Sequence, residues 1–192
     1  MDDLRLKLQR LRQFSRQDGS TTTLPFVPEA DLYSLLTRDT LENALASPTF
    51  DLEPHQRELV AGEIIDGAQK IFAILVELRM EGKLKTCLEK CLMDSSLPIL
   101  EEKRLAEIFP ESALNFQKLQ WEYVPLKFRE HSHKDLESGC ILPFVENTKL
   151  SSGGFSTVFK VIIHPLYQDW KPSTKTSVRS LCAGRRLAIT IK

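Results

Sequence analysis

Residues 150–160 carry the side chains whose types and spacing could do chemistry in this 192-residue chain. Small residues and an aromatic lie there between two apolar runs, in the order Leu150-Ser151-Ser152-Gly153-Gly154-Phe155-Ser156-Thr157-Val158-Phe159-Lys160. Small side chains in such a turn let backbone N–H groups approach the oxygens of a polyphosphate. Adjacent glycines are also frequent in ordinary hairpins, so the glycines alone favour a plain turn.

A lysine at the end of another apolar run is the second candidate. The run reads Leu187-Ala188-Ile189-Thr190-Ile191-Lys192, and its β-branched residues are typical of a strand. A single lysine after a strand indicates little by itself. Its order behind the small-residue loop and a predicted strand at residues 157–163 is what gives it significance.

Together these two segments resemble the glycine-rich loop and the third strand of eukaryotic protein kinases. In the pattern G-x-G-x-x-G-x-V, Ser151 stands at the first glycine, Gly153 at the second, Ser156 at the third and Val158 at the valine. The run ending in Lys192 is similar to the family's V-A-I-K strand, with Lys192 at its lysine. Serine at the first and third positions restricts the backbone more than glycine would.

The resemblance implies Mg-ATP as the cofactor of a serine/threonine-type kinase. In the family's arrangement, Leu150 and Val158 would cover the purine ring, and Lys192 would contact the α- and β-phosphates. The loop that covers the phosphates would comprise Ser151, Ser152, Gly153, Gly154, Phe155 and Ser156. No metal-ligating residue is expected in this chain.

The catalytic residues of the family are absent from this sequence. A kinase needs a helix glutamate, a catalytic-loop aspartate and magnesium ligands, all of which follow the lysine. The chain ends at Lys192 and contains no His-Arg-Asp or Asp-Phe-Gly triplet. We therefore expect no phosphoryl transfer by this chain alone. The alternative is a non-catalytic kinase-like fragment whose helical part acts as a protein-interaction module.

Helical patterns cover residues 32–127. Thr37 or Asp39 can cap a short helix, and Pro54 suits the first turn of a longer one. The three- and four-residue steps from Leu59 to Arg79 predict one long central helix, with Gly62 and Gly67 placed for close packing and Gly82 as its C-cap. Shorter helices are predicted at residues 83–93, 101–109 and 111–121, followed by an extended segment at 123–128.

Parts of this region resemble the helical segment that precedes the kinase domain in filamentous-fungal kinase-like proteins. The segments that carry the resemblance are Leu35-Leu36-Thr37, Lys70-Ile71-Phe72-Ala73-Ile74-Leu75 and Trp121-Glu122-Tyr123-Val124-Pro125.

The predicted fold class is α+β: a helical bundle followed by a partial antiparallel sheet with strands at residues 141–145, 157–163 and 187–191. Three regions are expected: residues 1–23 as a basic amphipathic segment and linker, 24–138 as the helical domain, and 139–192 as the first three strands of a kinase small lobe. The first segment bears a stripe of Leu4, Leu8 and Leu11. At this length it is expected to be a marginal helix that docks on the next domain or frays. The alternative is that it lies on a membrane or pairs with a partner helix. The last strand of the sheet needs a partner or a continuation of the chain to cover its edge.

Composition limits the remaining possibilities. Basic and acidic residues both number 26, so net charge gives no indication of nucleic-acid binding. No apolar run reaches the length of a membrane span. Without a secretory signal, the cysteines are expected as free thiols in the cytoplasm or nucleus, with Cys87 and Cys91 buried on one helix face. His131, His133 and Cys140 are too few for a zinc site.

Overall fold

A computed structural model describes residues 1–16, 23–129, 136–152, 157–169 and 186–191, with the backbone alone at residues 151–152, 157–158 and 186–191. The protein has the α+β composition expected from the sequence. It divides into two units that do not follow chain order. The helical unit consists of Met1–Arg12 and Val27–Val124, and the strand unit of Gln13–Phe26 and Pro125–Lys192.

The helical unit is built around one helix that is buried on nearly every side. This helix, α5, contains seven buried residues among its nine, because six consecutive residues, 71–76, are apolar and so cover every face. The helices are α1 Asp2–Arg10, α2 Glu29–Leu35, α3 Arg38–Leu45, α4 Pro54–Ile65, α5 Gln69–Glu77, α6 Leu84–Glu89, α7 Glu102–Ile108 and α8 Ala113–Tyr123, with single 3-10 turns at Glu81–Lys83 and Asp94–Ser96.

The predicted long central helix is two helices, and the prediction was wrong at Gly67. This residue has a φ of 155°, which interrupts the helical backbone between the end of α4 at Ile65 and the start of α5 at Gln69. The side chain of Asp94 then accepts hydrogen bonds from the backbone N–H groups of Lys70 and Ile71, each at 3.0 Å. A carboxylate from a distant part of the chain therefore caps the buried start of α5.

Two other expectations about helix ends were also wrong. Gly82 lies inside a 3-10 turn, and the residue with positive φ after α5 is Arg79, at 58°. Cys91 was expected to be buried beside Cys87, but α6 ends at Glu89 and Cys91 is exposed with a φ of 51°. The helical period therefore stops before it reaches the second cysteine. Cys87 is buried, as expected.

The N-terminal segment docks on the helical unit, which is one of the outcomes expected for it. Leu4 and Leu8 of α1 are buried in the apolar core. Arg5 donates a hydrogen bond from Nε to the carbonyl oxygen of Val76 at 2.7 Å and pairs with Glu81 at 2.8 Å. The apolar stripe and one arginine together hold α1 against α5.

The strand unit contains three small sheets among the described residues. The strands β4 Phe144–Ser152, β5 Thr157–Ile163 and β7 Arg186–Ile191 form an antiparallel sheet in the order β4-β5-β7. Two further pairs are β1 Gln13–Arg16 with β2 Thr23–Phe26, antiparallel, and β3 Phe128–Arg129 with β6 Gln168–Asp169, parallel. The strand at residues 157–163 was predicted with its bounds, whereas the one predicted at 141–145 begins only at Phe144.

The strand β1 lies where the sequence indicated an amphipathic segment and linker, and β2 lies where the helical domain was predicted to begin. Ser15 is buried, and its hydroxyl donates to the carbonyl oxygen of Leu142 and accepts from the N–H of Phe144, the latter at 2.9 Å. Pro25 is accommodated in β2, which has one strand neighbour among the described residues. The buried side chain of β1 is therefore held by backbone groups that lie more than a hundred residues later in the chain.

The two glycines of the predicted long helix give opposite predictions for stability. We expect Gly62→Ala to raise the free energy of unfolding by about 0.5–1 kcal/mol, because a Cβ at position 62 of α4 meets no atom within 4 Å. Gly67→Ala should lower it by about 1 kcal/mol or more, because alanine resists the positive φ. Urea denaturation of both variants checks this. Equal effects of the two substitutions would contradict the assigned break in the helix.

Candidate functional site

The loop at residues 153–156 is closed by a hairpin whose register the structure defines. Ser152 pairs with Thr157, and Ser151 pairs with Val158, so the four loop residues connect directly paired strand ends. The register shifts between Lys149 and Ser151, which leaves Leu150 as the extra residue of a β-bulge. Leu150 is 57% exposed and offers an apolar surface next to the loop.

The third strand brings the end of the chain to the same hairpin. Thr157 pairs with Ile191, and Val158 pairs with Thr190. Directly paired positions of an antiparallel ladder share one face of the sheet, so positions 158 and 190 belong to one face. The residue that follows Ile191 in sequence is Lys192.

The two faces of this sheet differ in burial. Phe159, Val161 and Ile163 of β5 are buried, whereas Lys160 between them is exposed. Because side chains alternate along a strand, position 158 belongs to the same face as Lys160. The structure therefore places Leu150, Ser151, Ser152 and position 158 in one hairpin with an accessible face. The other predicted site residues, Gly153, Gly154, Phe155, Ser156 and Lys192, lie outside the described residues.

A second candidate site lies in the helical unit, and sequence reasoning missed it. A groove of about 850 Å³ opens between α4, α6 and the segment before α4; we call it the α4–α6 groove. Its wall is apolar and its rim carries charged side chains. The residues that line it are Thr49, Phe50, Leu52, Gln56, Leu59, Val60, Glu63, Asp66, Glu81, Gly82, Leu84, Lys85, Leu88, Glu89, Cys91 and Met93. One signal was available in the sequence: Leu59 and Glu63 are four residues apart, which places an apolar and an acidic side chain on the same face of the predicted helix.

A cluster of buried polar groups in the helical unit holds the end of the N-terminal segment. Arg12 pairs with Glu77 and, through Nε at 2.6 Å, with Glu122, while the hydroxyl of Tyr123 donates to Glu77. Burial raises the pKa of Tyr123 well above its usual range, and the neighbouring carboxylate of Glu77 adds to the effect. Burial likewise raises the pKa of Glu122, against the opposing influence of Arg12. The side chains of Arg12, Glu77 and Glu122 are largely shielded from solvent and satisfy one another, so we interpret them as a structural cluster.

The described part of the chain contains no group of three or more His, Cys, Asp or Glu side chains able to hold a metal ion. Nor does it contain a helix with the length and apolar character needed to cross a membrane.

No protein-family model matches this chain, and comparisons with curated proteins and with solved structures give no significant match. The interpretation of both candidate sites therefore depends on the geometry and chemistry of the chain itself.

The buried cluster around Arg12 predicts a large effect of one substitution. Arg12→Ala should lower the free energy of unfolding by about 3 kcal/mol, because it leaves the buried carboxylates of Glu77 and Glu122 without their cation. The matched control is Arg10→Ala on the exposed side of α1, which should change it by less than about 0.5 kcal/mol. Urea titration gives both values, and similar losses would contradict the assigned role.

Cys87 predicts a pH dependence of stability at alkaline pH. Burial raises the pKa of this thiol to about 12, from 9.0 for a free thiol. The unfolded chain therefore loses the thiol proton first, so the contribution to stability is complete below pH 9 and decreases as the pH rises toward 12. Between pH 8 and 10, the advantage of wild type over Cys87→Ala in free energy of unfolding should narrow by about 1 kcal/mol. A constant difference would show that the folded thiol titrates normally.

Proposed function

We propose that the strand unit binds Mg-ATP as the front part of a protein-kinase small lobe, with the phosphates under residues 150–158 and Lys192 as their cationic partner. The observation that carries the proposal is the register of the β4-β5-β7 sheet. It closes a four-residue loop containing two glycines, and it places Ile191, the residue before the lysine, opposite the first residue after that loop.

The hairpin supplies features that a nucleotide site needs. The glycines of the loop carry no side chain to separate its N–H groups from phosphate oxygens. The bulge at Leu150 leaves an exposed apolar side chain beside the loop, suited to contact with a flat apolar ring. Position 158 belongs to the accessible face of the sheet, and it pairs with position 190 on the neighbouring strand. These features favour a purine between the bulge and the third strand.

The sign of the charge supports a phosphate ligand. Every charged residue that follows Asp169 is basic, namely Lys171, Lys175, Arg179, Arg185, Arg186 and Lys192. Of these, Arg186 lies in a described strand, where it begins β7 and pairs with Ile162. A positively charged C-terminal region attracts a polyanion such as ATP over the screening distance of physiological salt, about 8 Å.

Nucleotide binding by the complete chain tests the proposal. Mg-ATP should raise the melting temperature of the wild type, and Lys192→Ala should weaken its affinity about tenfold, since one charge-assisted phosphate contact is lost. Gly153→Val should weaken binding as well, because the new side chain would occupy the space of the phosphates. Lys103→Ala, an exposed lysine of α7, is the matched control and should bind as wild type does. The proposal fails if Mg-ATP leaves the melting temperatures of wild type and Lys192→Ala equally unchanged.

A further inference from the structure

We propose that the α4–α6 groove is a docking site for a positively charged amphipathic helix of a partner protein. The inference is independent of nucleotide binding by the strand unit. It depends on three properties of the groove: its apolar wall, its open shape and the sign of the charge along its rim.

The wall of the groove consists of side chains that the core leaves partly uncovered. Phe50, Leu52, Val60 and Leu88 are half-buried residues packed against the core, with one face each turned away from it. Leu59 is 66% exposed, the most exposed large apolar side chain of the described residues. Contiguous apolar surface of this kind is costly in water, which favours a bound apolar partner.

The shape suits an elongated ligand better than a compact one. Nine of the sixteen lining residues are exposed, so the groove is open to solvent and would not enclose a small molecule. Along one side runs α4, whose 12 residues extend for about 18 Å, or roughly three turns of a second helix. Met93 is one of the lining residues, and its flexible thioether can adapt to differently shaped apolar side chains.

Charge on the rim selects the partner's polar face. Four carboxylates and one lysine line the groove. Glu81 is paired with Arg5, and Glu89 lies 3.9 Å from Lys85. Within the described part of the chain, the exposed carboxylates of Glu63 on α4 and of Asp66, the residue that follows α4, form no ion pair.

The uncompensated charge of the groove is therefore negative and lies along one helix. A partner helix with leucine-like residues at three- and four-residue steps can fill the apolar wall, and lysine or arginine on its flank can reach the two free carboxylates. An acidic helix of the same apolar pattern would bring like charges together and bind more weakly.

Two synthetic peptides test the proposal on the complete chain. Both are about 18 residues long, enough to form a helix, and share one leucine stripe. Their polar positions are lysine in one and glutamate in the other. Fluorescence anisotropy should show the lysine peptide binding about tenfold more tightly than the glutamate peptide. Equal affinities, or tighter binding of the glutamate peptide, would overturn the proposal.

Matched substitutions locate the binding site. Leu59→Asp should weaken binding of the lysine peptide about tenfold, because a charge replaces an apolar contact in the groove. Leu114→Asp is its control, since Leu114 on α8 is 60% exposed and lies outside the groove. Equal losses in the two variants, or no loss in Leu59→Asp, would remove the groove as the site.

A second pair keeps the test decisive if Leu59→Asp does not fold. Glu63→Lys should weaken the lysine peptide about threefold and strengthen the glutamate peptide, whereas Glu107→Lys on α7 should change neither. Sedimentation of the chain without peptide tests whether a second copy of the chain, and not a partner helix, occupies the groove. A dimer that dissociates in Leu59→Asp would mean that a second copy of the chain fills the groove, and this would also overturn the proposal.

Discussion

The helical unit depends on covering α5. An isolated helix with apolar residues on every face cannot remain in water, so each side of Gln69–Glu77 needs a neighbour. The helices α1, α2, α4 and α8 and both 3-10 turns contact it. Even the first residues of the chain take part, because the side chain of Arg5 binds the carbonyl oxygen of Val76 at the end of α5. Covering an apolar helix explains why segments far apart in sequence form one unit.

The same constraint explains the polar groups that are buried with α5. Its first N–H groups have no partner within the helix and are partly shielded from water, and the carboxylate of Asp94 accepts hydrogen bonds from two of them. Near its other end, Glu77 is surrounded by Arg12 and Tyr123. Each of these buried charges has a hydrogen-bonded partner, which is the condition under which burial is tolerated.

Much of the fold could be predicted from local sequence signals. Thr37 caps α3 through a hydrogen bond from the N–H of Thr40, and Pro54 begins α4, as the residue types indicated. The strand Thr157–Ile163 followed from its β-branched residues. The break at Gly67 did not follow, because a glycine within an unbroken apolar period can serve close packing or a positive φ. In the structure, Asp94 caps the helix that starts after Gly67, which makes the break possible. No residue near Gly67 in the sequence indicates that cap.

The two candidate sites differed in how far the sequence could reveal them. The hairpin around residues 153–156 was predicted because all of its residues adjoin one another in the chain. The pairing of position 158 with position 190 needed the structure, since it depends on how a long connection returns to the sheet. The α4–α6 groove is an assembly of side chains drawn from residues 49–93, and each of them alone is an ordinary core or surface residue. Grooves of this kind have no local sequence pattern.

The hydrogen bonds of Ser15 have a consequence for synthesis on the ribosome. The chain is made from its N-terminus, yet the partners of Ser15 are Leu142 and Phe144, so β1 emerges well over a hundred residues before it can complete its contacts. Residues 27–124, which form most of the helical unit, emerge in that interval. During translation, β1 and β2 can therefore pair with each other, but Ser15 lacks its partners at Leu142 and Phe144 while the intervening helices fold. An expression boundary placed at residue 139 would deprive the strand unit of β1 and β2 altogether.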